Sequence, residues 1–316
     1  MLEHGGRLRE AAARWGIPHH DWLDLSTGIA PWVYPLPAVP TEVWQRLPED
    51  NDGLEAAAAG YYGVSTWDAL VVLPGSQAAI QRLPTLIPPG RVAMLLPTYA
   101  EHPAAWQTAG HERVAWDQSA EYAVLCNPNN PTGHCFSRDA LLDKARKVRL
   151  LVVDEAFGDV TPEASLIGKE LPDNVVVLRS LGKFFGLAGA RVGFAVGDRA
   201  LLKRLADTLG PWPVAHPARW AARHALVDTD WQTLQRGRLR AASARLASHL
   251  REVGFTEPTG TAFFQTVMTN RATEIHEHLA RQGILVRRFE ETLRFGLPGD
   301  ETQWQRLTAA TTQCRA

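Results

Sequence analysis

The chain is predicted to be an α/β protein: a large domain built on a mainly parallel central sheet, followed by a smaller α+β domain. Three observations lead there. Short apolar runs at 70–73, 91–96, 123–126, 150–153, 175–178 and 191–196 alternate with helix-like stretches, the pattern of strands buried on both faces of a parallel sheet. Residues able to do chemistry cluster just after several of those runs, where open α/β sheets place their ligands. After Gly210 the character changes, with Pro211-Trp-Pro-Val-Ala-His-Pro217 as a break and an Ala-, Arg- and Leu-rich stretch at 218–250 that reads as a long helix. Strand candidates at 261–268, 284–287 and 292–297 follow, with a helical stretch at 272–282 between them.

Composition narrows the class of function. The 316 residues allow about two domains, and 45% hydrophobic residues supply a large core. A net charge of -1 with both signs interspersed gives no footprint for nucleic acid or an anionic membrane, so the expected partner is a small molecule. No apolar run is long enough to span a bilayer, and the charged start of the chain lacks the apolar stretch of a signal peptide, so a cytoplasmic location is expected. Cys126, Cys135 and Cys314 are odd in number and lack metal-ligand spacing. Neither a disulfide framework nor a metal site is expected, and Cys126 reads as strand filling beside Asn127.

The elements justify themselves in order. After the run at 70–73, Gly75-Ser76-Gln77 opens a plausible helix whose first amides would point at an anion, and Pro84 ends or kinks it. Pro97-Thr-Tyr99 follows the run at 91–96. Asn127-Pro-Asn-Asn130-Pro-Thr-Gly133 follows 123–126. Asp154-Glu155-Ala156-Phe157 follows 150–153, and Ser180-Leu181-Gly182-Lys183 follows 175–178, with Arg191 eight residues beyond the lysine. Each piece alone is common turn punctuation, but their order and spacing together are not.

Chemically, a lysine amine can condense with the aldehyde of pyridoxal phosphate and, once displaced by an amino acid, move protons. An aspartate facing the pyridine nitrogen keeps it protonated, and a serine, an arginine and a helix N-terminus hold the phosphate. Lys183, Asp154, Ser180, Arg191 and Gly75-Ser76-Gln77 are the candidates for those roles. The set resembles the fold type I pyridoxal phosphate-dependent aminotransferase superfamily. By that resemblance Tyr99 stacks on the cofactor ring and joins Lys183 and Asp154 as a catalytic residue, while Asn130 bonds the phenolic oxygen and also touches substrate. The resemblance also implies a homodimer and places the first 40 or so residues with the small domain, giving 1–40, 41–210 and 211–316 as the expected divisions.

Three departures stand out. Phe157 occupies a position often tyrosine in relatives, which removes one bond to the phenolic oxygen. Gly182 replaces a common serine or threonine before the lysine. In Arg46-Leu47-Pro48, leucine replaces the tyrosine that reaches a neighbouring subunit's phosphate.

Toward the C-terminus, Arg294 matches the family arginine that pairs with a substrate α-carboxylate. Arg287 matches a second arginine used on phosphorylated substrates, and Arg288 reads as a solvated strand end. His4-Gly5-Gly6-Arg7, with residues 22–29, resembles the threonine-phosphate decarboxylase branch of cobalamin biosynthesis, in which His4 and the amides of Gly5 and Gly6 would approach a phosphate. The implied reaction is decarboxylation of L-threonine O-3-phosphate to 1-amino-2-propanol phosphate. Two alternatives stay open: a histidinol-phosphate or other amino acid aminotransferase, and a pyridoxal phosphate-fold binding module without turnover.

Overall fold

A computed structural model describes residues 4–66, 69–168 and 171–313. Cys314 lies outside the described residues. In chain order the strands are β1 (Leu23–Leu25), β2 (Leu70–Leu73), β3 (Arg91–Met94), β4 (Glu112–Ala115), β5 (Tyr122–Cys126) and β6 (Leu150–Asp154). They continue as β7 (Val175–Ser180), β8 (Gly193–Val196), β9 (Thr259–Thr261), β10 (Phe264–Met268), β11 (Ile284–Arg288) and β12 (Thr292–Gly296). The chain forms two compact units. The larger is Val33–Asn130 with His134–Leu234, and the smaller comprises the residues up to Trp32, Pro131–Gly133 and those from Gln235 onward.

The larger unit holds a seven-stranded sheet in the order β2-β8-β7-β6-β5-β3-β4. Pairings from β4 across to β7 are parallel, and β8 alone runs against its neighbours β7 and β2. Every residue of β5 and β6 is buried, which is why both read as unbroken apolar runs. Trp106, Tyr122, Val152 and Leu178 belong to the core formed around this sheet.

The structure departs from the sequence reading at several elements. Strand β4 was not visible in the sequence because it is an edge strand with Val114 as its one buried residue. Strand β8 begins at Gly193 rather than 191, since Arg191 sits in the left-handed region at φ 53°. The stretch 218–250 is two helices, His216–Val227 and Thr229–Glu252. They part at Asp228, whose carboxylate accepts the Trp231 N–H at 3.0 Å, while the Gln232 amide donates to Ala225 O and Leu226 O and so satisfies carbonyls at the end of the first helix. Residues 211–234, assigned from sequence to the C-terminal domain, pack within the larger unit.

In the smaller unit five strands follow the order β1-β11-β12-β10-β9. Strand β1 pairs parallel with β11 and the remaining pairs are antiparallel. The run at 261–268 is a hairpin, β9 and β10, rather than one strand, with Thr261 Oγ1 accepting the Phe263 N–H in the turn. Segment Pro131–Gly133 packs here: the Thr266 hydroxyl donates to Pro131 O at 2.7 Å, and a Cβ on Gly133 would lie 2.2 Å from Gly260 O. Among the described residues no helix is long and apolar enough to cross a membrane.

Candidate active site

The strand ends of the larger unit bring the predicted cofactor residues to one cavity. Ser76, Gln77, Tyr99, Asn130, Asp154, Ser180, Lys183 and Arg191 line it, with Cys126, Ala156 and Phe157. Gly75 is the exception. Its N–H donates to Leu73 O, so it shapes the turn without offering its amide. At φ 78° its Cβ would lie 2.7 Å from Arg191 Nη2, so the missing side chain is what admits the guanidinium. A second glycine, Gly193 at the start of β8, is equally required, because a Cβ there would stand 2.3 Å from Ser76 N. Together they leave a cradle at the start of helix Ser76–Arg82, of the kind that suits a phosphate.

Asp154 closes β6, and two bonds orient its carboxylate. Oδ1 accepts the Ala156 N–H at 3.1 Å, and Oδ2 lies 3.0 Å from His102 Nε2. His102 is fully buried at the start of helix Glu101–Thr108. Burial disfavours its cation, yet the neighbouring Cys126 sulfur and the Asp154 carboxylate outweigh that and raise its pKa to about 10. No role for His102 was read from the sequence; its place three residues after Tyr99, at the start of a helix leaving a strand end, is the one signal pointing to it. Cys126 also does more than fill the strand, since it faces the cavity with Sγ 4.0 Å from Asp154 Oδ2.

Lys183 stands on the short helix Leu181–Phe184 directly after β7, with Ser180 as its N-cap. Its Nζ is 5.8 Å from the centre of the Phe157 ring. The glycine before it has a steric cause: a Cβ on Gly182 would lie 2.9 Å from Ala188 Cα. Tyr99 donates from its hydroxyl to Gln77 Oε1 at 3.2 Å, and Gln77 Nε2 donates to Glu101 at 2.9 Å, so the ring is tethered at its tip. Burial, reinforced by Glu101 and Asp154, raises the Tyr99 pKa above its ordinary value and keeps the phenol neutral. Of the asparagines at 127–130, Asn127 bonds the backbone of Phe136 through both side-chain atoms and Asn129 donates to Pro97 O. Asn130 is the one that lines the cavity.

The smaller unit has its own polar cavity, of about 140 Å³, whose lining includes His4, Gly5, Arg7, Arg14, Ser26, Arg287 and Arg288, with the carboxylates of Glu10 and Glu277. A Cβ on Gly5 would lie 2.3 Å from Ser26 O, and the Gly6 N–H donates to Ser26 Oγ at 2.7 Å. Gly6 and Arg294 lie outside the lining. Arg294 is the register partner of Arg287 across β11 and β12, is buried, and donates to Ser26 O at 2.8 Å. Burial and then the Arg287 charge push its pKa down to about 10 against the pull of Asp24. Arg288 is exposed and donates to Thr273 Oγ1.

Residues 47–314 match the family of class I and II aminotransferases. The chain belongs to that family. A threonine-phosphate decarboxylase from Pseudomonas aeruginosa is 52% identical to it, with 98% of this chain and 97% of the relative covered. One from a Sinorhizobium species is 42% identical with the same coverage. The solved structure of a histidinol-phosphate aminotransferase from Sinorhizobium meliloti in complex with pyridoxal-5'-phosphate superimposes with a TM-score of 0.83 at 19% identity, covering 99% of this chain and 95% of that one. The shared feature is the family fold, an α/β architecture on a mostly parallel sheet.

Proposed function

We propose that this protein is a pyridoxal phosphate-dependent decarboxylase acting on L-threonine O-3-phosphate and yielding 1-amino-2-propanol phosphate for cobalamin biosynthesis. The observation that carries the reading is the near full-length likeness to relatives of that name, in a chain whose own strand ends gather Lys183, Asp154 and Arg191 at one cavity. The residues present fit the cofactor: Gly75 admits the Arg191 guanidinium and Gly193 lets the Ser76 amide come close, and Ser76, Ser180 and Arg191 line one cavity with Lys183 and Asp154. On the family resemblance the protein works as a homodimer in the cytoplasm.

In this reading Ser76, Gln77, Ser180 and Arg191 bind the phosphate dianion of the cofactor. Lys183 Nζ would hold the cofactor and, once released by the substrate amine, it or a water would deliver to Cα the proton that takes the place of CO2. Asp154, oriented by His102 and the Ala156 N–H, holds a proton on the ring nitrogen. Bound there, pyridoxal phosphate supplies an electron sink for the pair left at Cα when CO2 departs. Tyr99 stacks on the ring and Asn130 bonds its phenolic oxygen. Arg294 binds the substrate carboxylate, and Arg287 with His4 and Gly5 binds the substrate phosphate, the Gly6 amide being given to Ser26. Those two anchors fix rotation about Cα, and that rotation selects CO2 loss over amino transfer.

The test is to incubate the holoenzyme with threonine phosphate, with and without an added keto acid, and identify the products by mass spectrometry while measuring CO2. Stoichiometric CO2 and 1-amino-2-propanol phosphate are expected. Amino transfer to a keto acid without CO2 release would replace the proposal with an aminotransferase.

A further inference from the structure

Behind the cavity of the larger unit lies a buried ionic cluster. Arg179, the residue before Ser180, donates from Nη1 to Glu155 Oε2 at 2.7 Å and from Nη2 to Asp159 Oδ1 at 2.8 Å. All three side chains are at most 2% exposed. Glu155, the residue after Asp154, also accepts the Ser165 hydroxyl at 2.5 Å and the Leu166 N–H at 2.9 Å. Asp159 accepts the Tyr61 hydroxyl at 3.0 Å, and the guanidinium lies 4.7 Å from the centre of the Tyr62 ring. Gly158 makes room, since a Cβ there would be 2.6 Å from Arg179 Nη1.

Stability alone accounts poorly for this arrangement. Burying charges carries a desolvation cost that apolar residues of the same volume avoid, so a buried ion cluster is weak evidence of a stabilising role. What the cluster does supply is geometry. A planar guanidinium forked between two carboxylates fixes direction as well as distance. Its ends are covalently next to Asp154 on β6 and to Ser180 on β7, and the same junction carries the backbone bond from Glu155 N–H to Leu178 O at 2.9 Å.

We infer that Arg179 is a positioning residue, which with Glu155 and Asp159 sets the Ser180–Lys183 turn against Asp154 and so fixes where the lysine amine meets the cofactor. The inference rests on Lys183 and Asp154 holding pyridoxal phosphate as proposed above. Lysine at 179 keeps the charge but not the fork, and Asp159→Asn removes one prong of charge while keeping its shape.

Both variants are purified as full-length holoenzyme. Three quantities are followed: the melting temperature, the pH midpoint of the bound cofactor's visible absorption, and kcat and KM for threonine phosphate. Arg179→Lys is expected to lower kcat ~10-fold or more with KM changed less than about twofold, and to displace the pH midpoint, because the lysine amine and the aspartate no longer keep their spacing. Asp159→Asn moves the same quantities in the same direction by less, and decides the matter if Arg179→Lys does not fold. A folded variant with a lowered melting temperature but unchanged midpoint, kcat and KM would reduce the cluster to structural support and overturn the inference. Failure of the underlying reading is seen separately, in a Lys183→Ala protein that retains the visible band.

Discussion

Substituting Gly193 by alanine tests the phosphate cradle without touching any group assigned to chemistry. The added Cβ would sit 2.3 Å from Ser76 N and 2.7 Å from Gly75 C, whereas ordinary contact starts near 3.4 Å. Ser76 N must therefore retreat by about 1 Å, and both clashing atoms are backbone, so no side-chain rotation relieves them. A hydrogen bond of about 2.9 Å from that amide to a phosphate oxygen would open to roughly 3.9 Å, beyond the range in which such bonds count. Losing one charge-assisted bond of about 1.5–3 kcal/mol corresponds to a roughly 10- to 150-fold weaker Kd for pyridoxal phosphate. Apoprotein titrated with the cofactor and followed by absorbance gives that constant directly, and thermal melting of the apoprotein checks that the fold survives. A folded Gly193→Ala protein that binds the cofactor within about twofold of the parent would refute the cradle.

Lys183→Ala is expected to abolish the visible absorption of the holoenzyme, and borohydride reduction of the parent followed by peptide mapping should find the cofactor on Lys183; an adduct on Lys144, Lys147 or Lys203 would remove it from the site. The raised pKa of His102 has a definite sign: a group whose folded value, about 10, exceeds its ordinary 6.5 contributes stability that is complete below 6.5 and lost as pH rises through 10. Melting temperatures from pH 6 to 10.5 should therefore fall more steeply for the parent than for His102→Asn, and parallel curves would contradict the buried charged pair. Neutralising Arg287 with glutamine should raise KM for threonine phosphate ~10-fold or more while cofactor binding is unchanged. Normal kinetics there, and in a protein lacking residues 1 to 6, would move the substrate phosphate elsewhere.

How much was legible followed from what each signal depends on. Strands β5, β6 and β7 were plain because two-sided burial demands continuous apolar runs, and the motifs at their ends were plain because backbone turns and phosphate contacts demand glycine, proline and asparagine at fixed places. Edge strand β4 was hidden, since with Val114 as its one buried residue it carries no periodicity. The division of 218–250 into two helices was hidden as well, because Asp228 and Gln232 do their capping through side chains that look like ordinary surface polarity until their partners are known. His102 and Arg179 escaped for a related reason. Their partners, Asp154 for one and Glu155 with Asp159 for the other, are 20 to 52 positions away in sequence, so no local pattern announces the pairing.

The approach of Gly182 to Ala188 has a consequence for how such chains can be recombined. With the backbone as it runs here, any side chain at 182 meets the Cα of 188, an atom that no substitution at 188 removes. A relative with serine before its lysine must route the intervening loop farther out, which makes the two positions mutually dependent. Grafting a single residue from such a relative would fail where transplanting 182–188 as one block would succeed, so exchange between lineages at this turn proceeds by segments rather than by point changes.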